Sequence, residues 1–250
     1  MKLASRLERM GQPLYAGLTK QTKGGAVWNG EMRQASKDTL TAPLRRRKPT
    51  TYFVNSMSDL FHENVPIEWI IKIFAVMALS QRHTYQVLTK RTGRMRAVVS
   101  QMGKSIEPLE RAARDIGYTL KFEGTGMVPW PLPNVWLGTS TERQPEANER
   151  IPLLLQTPAA VRFISAEPLL GGIQLHPLGD GTNALTSSTG PNLDWVIVGG
   201  ESGQGHRWDQ PQWYYSLLHQ CQQAGVPFFM KQLAGRKPIP DDLLVRQFPA

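Results

Sequence analysis

Four carboxylates and three cations recur at one kind of position in this sequence, directly after a short apolar run. The acids are Asp59, Glu142, Glu167 and Glu201, and the cations are Lys90, Arg207 and Lys231. Asn55, Ser56, Thr139, Ser140, Ser202 and Gln232 stand among them and add hydrogen-bonding groups. Gly199 and Gly200 precede Glu201, and paired glycines allow a sharp turn and close approach to the main chain. This set suits a polar ligand with carboxylate, amino or phosphate groups. Lys90, Glu167, Glu201 and Lys231 are the catalytic candidates. Asn55, Ser56, Asp59, Thr139, Ser140, Glu142, Gly199, Gly200, Ser202, Arg207 and Gln232 are the ligand-binding candidates. For any one of them, pairing with a neighbour across the strand ends is an equal reading. No metal-ligand spacing, phosphate-binding loop, nucleophile elbow or dinucleotide fingerprint occurs.

Short strands must position these groups. Trp195-Val196-Ile197-Val198 is apolar, mostly β-branched and too short for a helix, which marks a buried strand. Comparable runs begin at Tyr52, Tyr85, Val135, Val161 and Val226, mostly at the spacing of a β-α unit. Each ends in polar residues. The pattern predicts a parallel α/β fold, a partial or incomplete TIM-like (β/α) barrel, with one site at the strands' carboxyl ends.

Helices are expected between the strands. Leu3, Leu7 and Met10 share one face before Gly11, and Asn64 can cap a helix with Pro66 in its first turn and an apolar stripe from Ile67 to Ala78. Ser105–Ile116 is helical, Thr141–Arg150 is a polar loop and short helix, and Pro152 reopens a helical turn. A last helix runs from Asp209 and Pro211 to Gly225. It buries Cys221 as an inert thiol. Gly11–Thr41 reads as a long loop, Tyr118–Pro133 and Gly171–Pro191 as excursions, and Thr182–Gly190 as exposed.

The 250 residues suit one α/β domain. It divides into a basic segment at 1–50, repeated β-α units at 51–235 and a strap at 236–250. The net charge of +9 belongs almost wholly to the first segment, which holds eleven Lys or Arg against three acids. Clustered cations attract phosphate, but a solvated surface segment is the favoured reading. There is no apolar run long enough for a membrane span and no signal-peptide core, so the cytoplasm is the expected location. The single cysteine excludes an internal disulfide and any multi-cysteine metal site made by these residues alone.

Phe53-Val54-Asn55-Ser56-Met57-Ser58-Asp59-Leu60-Phe61-His62-Glu63 closely resembles the signature of an uncharacterised phage-encoded family known as phage protein Gp, a domain of unknown function. The resemblance continues through Val87-Leu88-Thr89-Lys90-Arg91, Asn134-Val135-Trp136-Leu137-Gly138, Glu167-Pro168-Leu169-Leu170-Gly171, Val198-Gly199-Gly200-Glu201-Ser202-Gly203 and Phe228-Phe229-Met230-Lys231-Gln232. It implies a barrel of radical-SAM type in a bacterial host's cytoplasm. S-adenosylmethionine and a [4Fe–4S] cluster are implied for the full-length family, with a three-Cys-motif protein as partner. In that picture Glu167 and the Gly199–Ser202 loop hold the amino-acid end of S-adenosylmethionine or a substrate, and Lys90, Arg207 and Lys231 clamp anionic groups.

The family pattern begins with a strand and a three-cysteine cluster before a helix like that from Leu3 to Met10, and this chain starts at that helix. It therefore carries no cofactor as written, and is expected to lack cluster chemistry and to expose a sheet edge. The rival expectation is a non-catalytic nucleic-acid- or partner-binding protein that uses the basic N-terminal segment.

Overall fold

The computed structural model describes residues 2–12, 15–120, 128–188 and 190–249. Residues 121–127 of the first predicted excursion, Thr189 of the second, and the Leu3 side chain lie outside the described residues.

Six strands form one parallel sheet: β3 (Thr51–Val54), β4 (Thr84–Thr89), β5 (Val135–Ser140), β6 (Val161–Ala166), β7 (Trp195–Gly199) and β8 (Phe228–Gln232). Their spatial order is their sequence order. Parallel crossovers are right-handed, so strands added always on the same side throw every crossover onto the same face. The sheet curls around its other face into a half-barrel, as the repeated strand pattern predicts. All six carboxyl ends therefore share one rim.

The helices bury the convex face. They are α4 (Ile67–Leu79), α5 (Thr92–Met102), α6 (Glu107–Asp115), α7 (Gln144–Leu155) and α8 (Pro211–Ala224). From the sheet, alternate residues Tyr85 and Val87, Val135 and Leu137, Val196 and Val198, and Phe228 and Met230 enter the core. Ile70, Phe74 and Met77 of α4, Leu154 of α7, and Leu217 and Cys221 of α8 meet them.

Several local expectations are corrected. Asn64 does not cap α4: its amide donates to the Gly30 carbonyl, and the Pro66 carbonyl opens the helix by accepting from Trp69 and Ile70. Pro152 does not reopen a second turn but lies inside α7, which continues through it. Helix α5 is an addition to the expected elements, and Met95, Val98, Val99 and Met102, at helical spacing, are the signal that marks it. In α1 (Lys2–Arg9), Ala4 and Ser5 turn inward while Met10 stays exposed. Ala184 and Leu185 are buried within the loop expected to be exposed.

Residues 11–41 are not one long loop. They include an antiparallel hairpin, β1 (Thr19–Thr22) with β2 (Gly25–Trp28), and the short α2 (Lys37–Leu40). The basic stretch Arg45-Arg46-Arg47-Lys48 follows in α3 (Ala42–Arg45) and beyond it, directly before β3. It therefore sits at the strands' amino ends, away from the rim. Arg82 fastens it by donating to the carbonyls of Pro43, Leu44 and Arg46. His83 is buried and accepts from Thr50 N–H at Nδ1, so Nε2 donates to Pro43.

The two sheet edges differ. Among the described residues no strand pairs with the outer side of β3, where Phe53 is 49% exposed. The tail covers the outer side of β8: Met230 donates to Val245, and Gln247 donates to Phe228. Gln247 also receives the Trp195 indole N–H, and Phe248 packs on Trp195 and Phe229.

On the concave face Gly138 stands opposite Phe163 in the register of β5 and β6. A Cβ on Gly138 would lie 2.5 Å from the Phe163 ring, which is fully buried against Trp195. Gly138→Ala should thus destabilise the fold by about 1–3 kcal/mol through overpacking. A lowered urea midpoint with an unchanged m-value would show it; an unchanged midpoint would contradict it.

Candidate functional site

The rim holds a series of acid–base pairs, each made by residues at or just beyond a strand end. After β3, Asn55 takes a left-handed φ of 56° and its amide donates to Ser58 Oγ. The turn brings Asp59 back across the end of β4. Its Oδ1 accepts from Phe61 N–H and Thr89 Oγ1, and its Oδ2 from Lys90 N–H and Arg91 Nη1. With four donors satisfied, Asp59 ties β3 to β4.

Glu142, beyond β5, lies between two cations. Lys90 Nζ bonds Oε1 and Arg150 Nη1 bonds Oε2 at 3.0 Å. Arg150 also donates to the Ser140 carbonyl, so α7 is locked onto the end of its preceding strand. Two buried polar atoms beside this group, Thr141 Oγ1 and Arg150 Nε, have no partner. Thr139 faces the helices, where its hydroxyl meets Thr92 and the Thr89 carbonyl; Ser140 is buried as well.

Glu167, beyond β6, reaches over β7 to β8. Lys231 Nζ lies 2.9 Å from its Oε2, and Gln232 Nε2 lies 3.4 Å from its Oε1. Gly199 passes beneath, where a Cβ would come within 3.2 Å of the Glu167 carboxyl. At Gly200 a Cβ would lie 2.2 Å from Ala234 N, and Gln232 exchanges two hydrogen bonds with Gly200. Both glycines thus admit the chain's own groups.

Glu201 accepts from Arg207 N–H, Nε and Nη2. The Arg207 amide, and then its guanidinium, hold this carboxyl below the usual carboxylate range. Next in sequence, Asp209 is buried and accepts from the Tyr214 hydroxyl and Ala234 N–H. Ser56 and Ser202 are exposed on their loops.

The predicted groups therefore come together as Lys90–Glu142, Glu167–Lys231–Gln232 and Glu201–Arg207, while Asp59, Thr139 and Ser140 are internal fasteners. Sequence reasoning missed Arg91 and Arg150 as partners. Arg91 adjoins Lys90, and Arg150 follows Glu142 by two helical turns on a returning helix, which is a usable signal.

The pairs share a polarity. In Asp59–Arg91, Glu142–Lys90, Glu167–Lys231 and Glu201–Arg207 the carboxylates are 11–36% exposed and the cations 32–59%. In each pair the acid is the more buried member. Glu63, which also contacts Arg91, is the exception and stands outward. The carboxylates thus fix cation heads in solvent along the rim, one of these four acids to each cation.

Glu142→Gln leaves the nearly buried Arg150 guanidinium without a counter-charge and should cost about 3 kcal/mol. Lys90→Met removes a half-exposed cation and should cost about 1 kcal/mol or less. Urea titrations of both variants measure the difference, and equal losses would contradict the buried-acid arrangement.

No curated protein and no solved structure matches this chain. A family model described as "Protein of unknown function (DUF5131)" matches residues 1–240. The half-barrel and its rim of paired charges are therefore a structure for that uncharacterised family, DUF5131, to which this chain belongs.

Proposed function

We propose that the rim between β6 and β8 binds the zwitterionic end of an S-adenosylmethionine-type ligand, as part of a phage-type protein related to radical-SAM enzymes. The observation that carries the proposal is the Glu167–Lys231 pair, closed at 2.9 Å above Gly199. A ligand ammonium can replace Lys231 on Glu167, and the ligand carboxylate can take Lys231 in exchange. Gln232, already within reach of Glu167, can follow either group. The parallel half-barrel and the strand-end motifs support the reading, since such folds build sites at strand carboxyl ends.

The cluster of radical-SAM chemistry is a separate matter. A [4Fe–4S] cluster that leaves one iron open takes three cysteine thiolates. The residues of this chain do not fit one. Cys221 is its single cysteine and lies buried in α8, where burial pushes its thiol up to about 12. Among the described residues no three His, Cys, Asp or Glu groups converge as a metal site. The proposal is accordingly one of ligand binding, with no reaction step derived.

Calorimetric titration with S-adenosylmethionine and S-adenosylhomocysteine tests it. Saturable binding is expected, weakened about ten- to hundredfold by Lys231→Met and by Glu167→Gln, the effect of losing one charge-assisted hydrogen bond. No saturable binding by the wild-type chain, or equal binding by both variants, would overturn the proposal.

A further inference from the structure

Trp208 is 68% exposed, more than any other large apolar side chain among the described residues. It is not on a loose tip. On one side Arg207 makes three hydrogen bonds to Glu201, and on the other Asp209 is buried under the Tyr214 hydroxyl and Ala234 N–H. The ring meets Trp213 edge to face at 6.2 Å, an arrangement that leaves indole face open to solvent. Gly235 packs on the adjoining His206, and the exposed Arg236 and Lys237 follow it. A solvent-facing indole therefore stands in a segment that also carries Arg207, between two residues whose hydrogen bonds fix the backbone on either side.

Other cation heads continue along the rim, each held from behind by a more buried carboxylate, Glu142 for Lys90, Asp59 for Arg91, Glu201 for Arg207 and Glu167 for Lys231. Lys90 and Arg91 follow β4, Arg207 follows β7 and Lys231 ends β8. Four strand spacings separate β4 from β8, about 19 Å along the curled sheet. A mononucleotide carries its phosphates at one end, whereas a row of separated cations matches a chain of phosphates. An aromatic face at such a row accepts a base from an unpaired strand, because duplex bases are already stacked on one another.

We propose that the rim is a single-stranded nucleic-acid groove, with Trp208 as the platform on which one base stacks and Lys90, Arg91, Arg207 and Lys231 as phosphate contacts. The inference shares Lys231 with the S-adenosyl-ligand reading but rests on a different observation, the exposed Trp208 indole, which that reading does not use.

Fluorescence anisotropy of the whole protein with a labelled fifteen-residue oligothymidylate tests it, beside an abasic oligomer of equal length and a duplex. The single strand should bind most tightly. Trp208→Ala should weaken it about five- to hundredfold, while Trp208→Phe keeps most of the affinity. The abasic oligomer should bind wild type with the affinity that the Trp208→Ala variant shows for the intact strand. Lys231→Met should lower the salt slope by about 0.7, the contribution of one phosphate contact. Equal affinities for intact and abasic strands, an unchanged Kd in Trp208→Ala, or tighter duplex binding would overturn the inference. S-adenosylmethionine titrations run in parallel should be unchanged in Trp208→Ala, which separates the two readings although both involve Lys231.

Discussion

The handedness of the parallel crossover governs this molecule. Each β-α unit must return on the same side of the sheet, and each new strand joins the same edge. The helices then collect on one face and the strand ends on one rim. Residues more than a hundred positions apart, such as Asp59 and Glu167 or Lys90 and Lys231, become members of one surface. No individual contact is responsible for that gathering. Hydrogen bonds such as Leu170 N–H to the Glu142 carbonyl, and Leu169 N–H to the Gly199 carbonyl, fasten loops that the topology has already brought together.

Charge at the rim follows from the same architecture. A loop leaving a buried strand begins in a poorly solvated place and ends in water. An acid at its start is therefore more buried than the long cationic side chain that reaches it. Glu142 shows the extreme form, with Arg150 beneath it and Lys90 above it. The glycines at the end of β7 serve this packing too, since the chain folds its own Leu233–Ala234 segment against Gly200.

Much of this was legible in the sequence because the strand signal is local. Runs such as Trp195–Val198 announce themselves within a few residues, and their polar endings point to a common rim. The pairings were not legible. Asp59 and Glu142 look equivalent as acids after strands, yet Asp59 is saturated by fasteners and Glu142 faces two cations. Which of these occurs depends on the path of the next loop, a tertiary fact. The hairpin of β1 and β2 was missed because Thr19-Lys20-Gln21-Thr22 is wholly polar and Gly25-Ala26-Val27-Trp28 is short and does not alternate. Its order comes from outside the strands, through Glu8 on Gly17 and Thr19 and through Asn64 on Gly30.

The two borders of the sheet are unequal. Val245–Gln247 seals the outer side of β8, and no described strand seals β3. A sheet with two bare borders can grow without limit, copy upon copy, as fibres do. Among the described residues this one has a single bare border. Two copies joined β3 against β3 would leave this sheet no further bare border for a third. The chain's own tail thus sets a ceiling on edge-to-edge assembly.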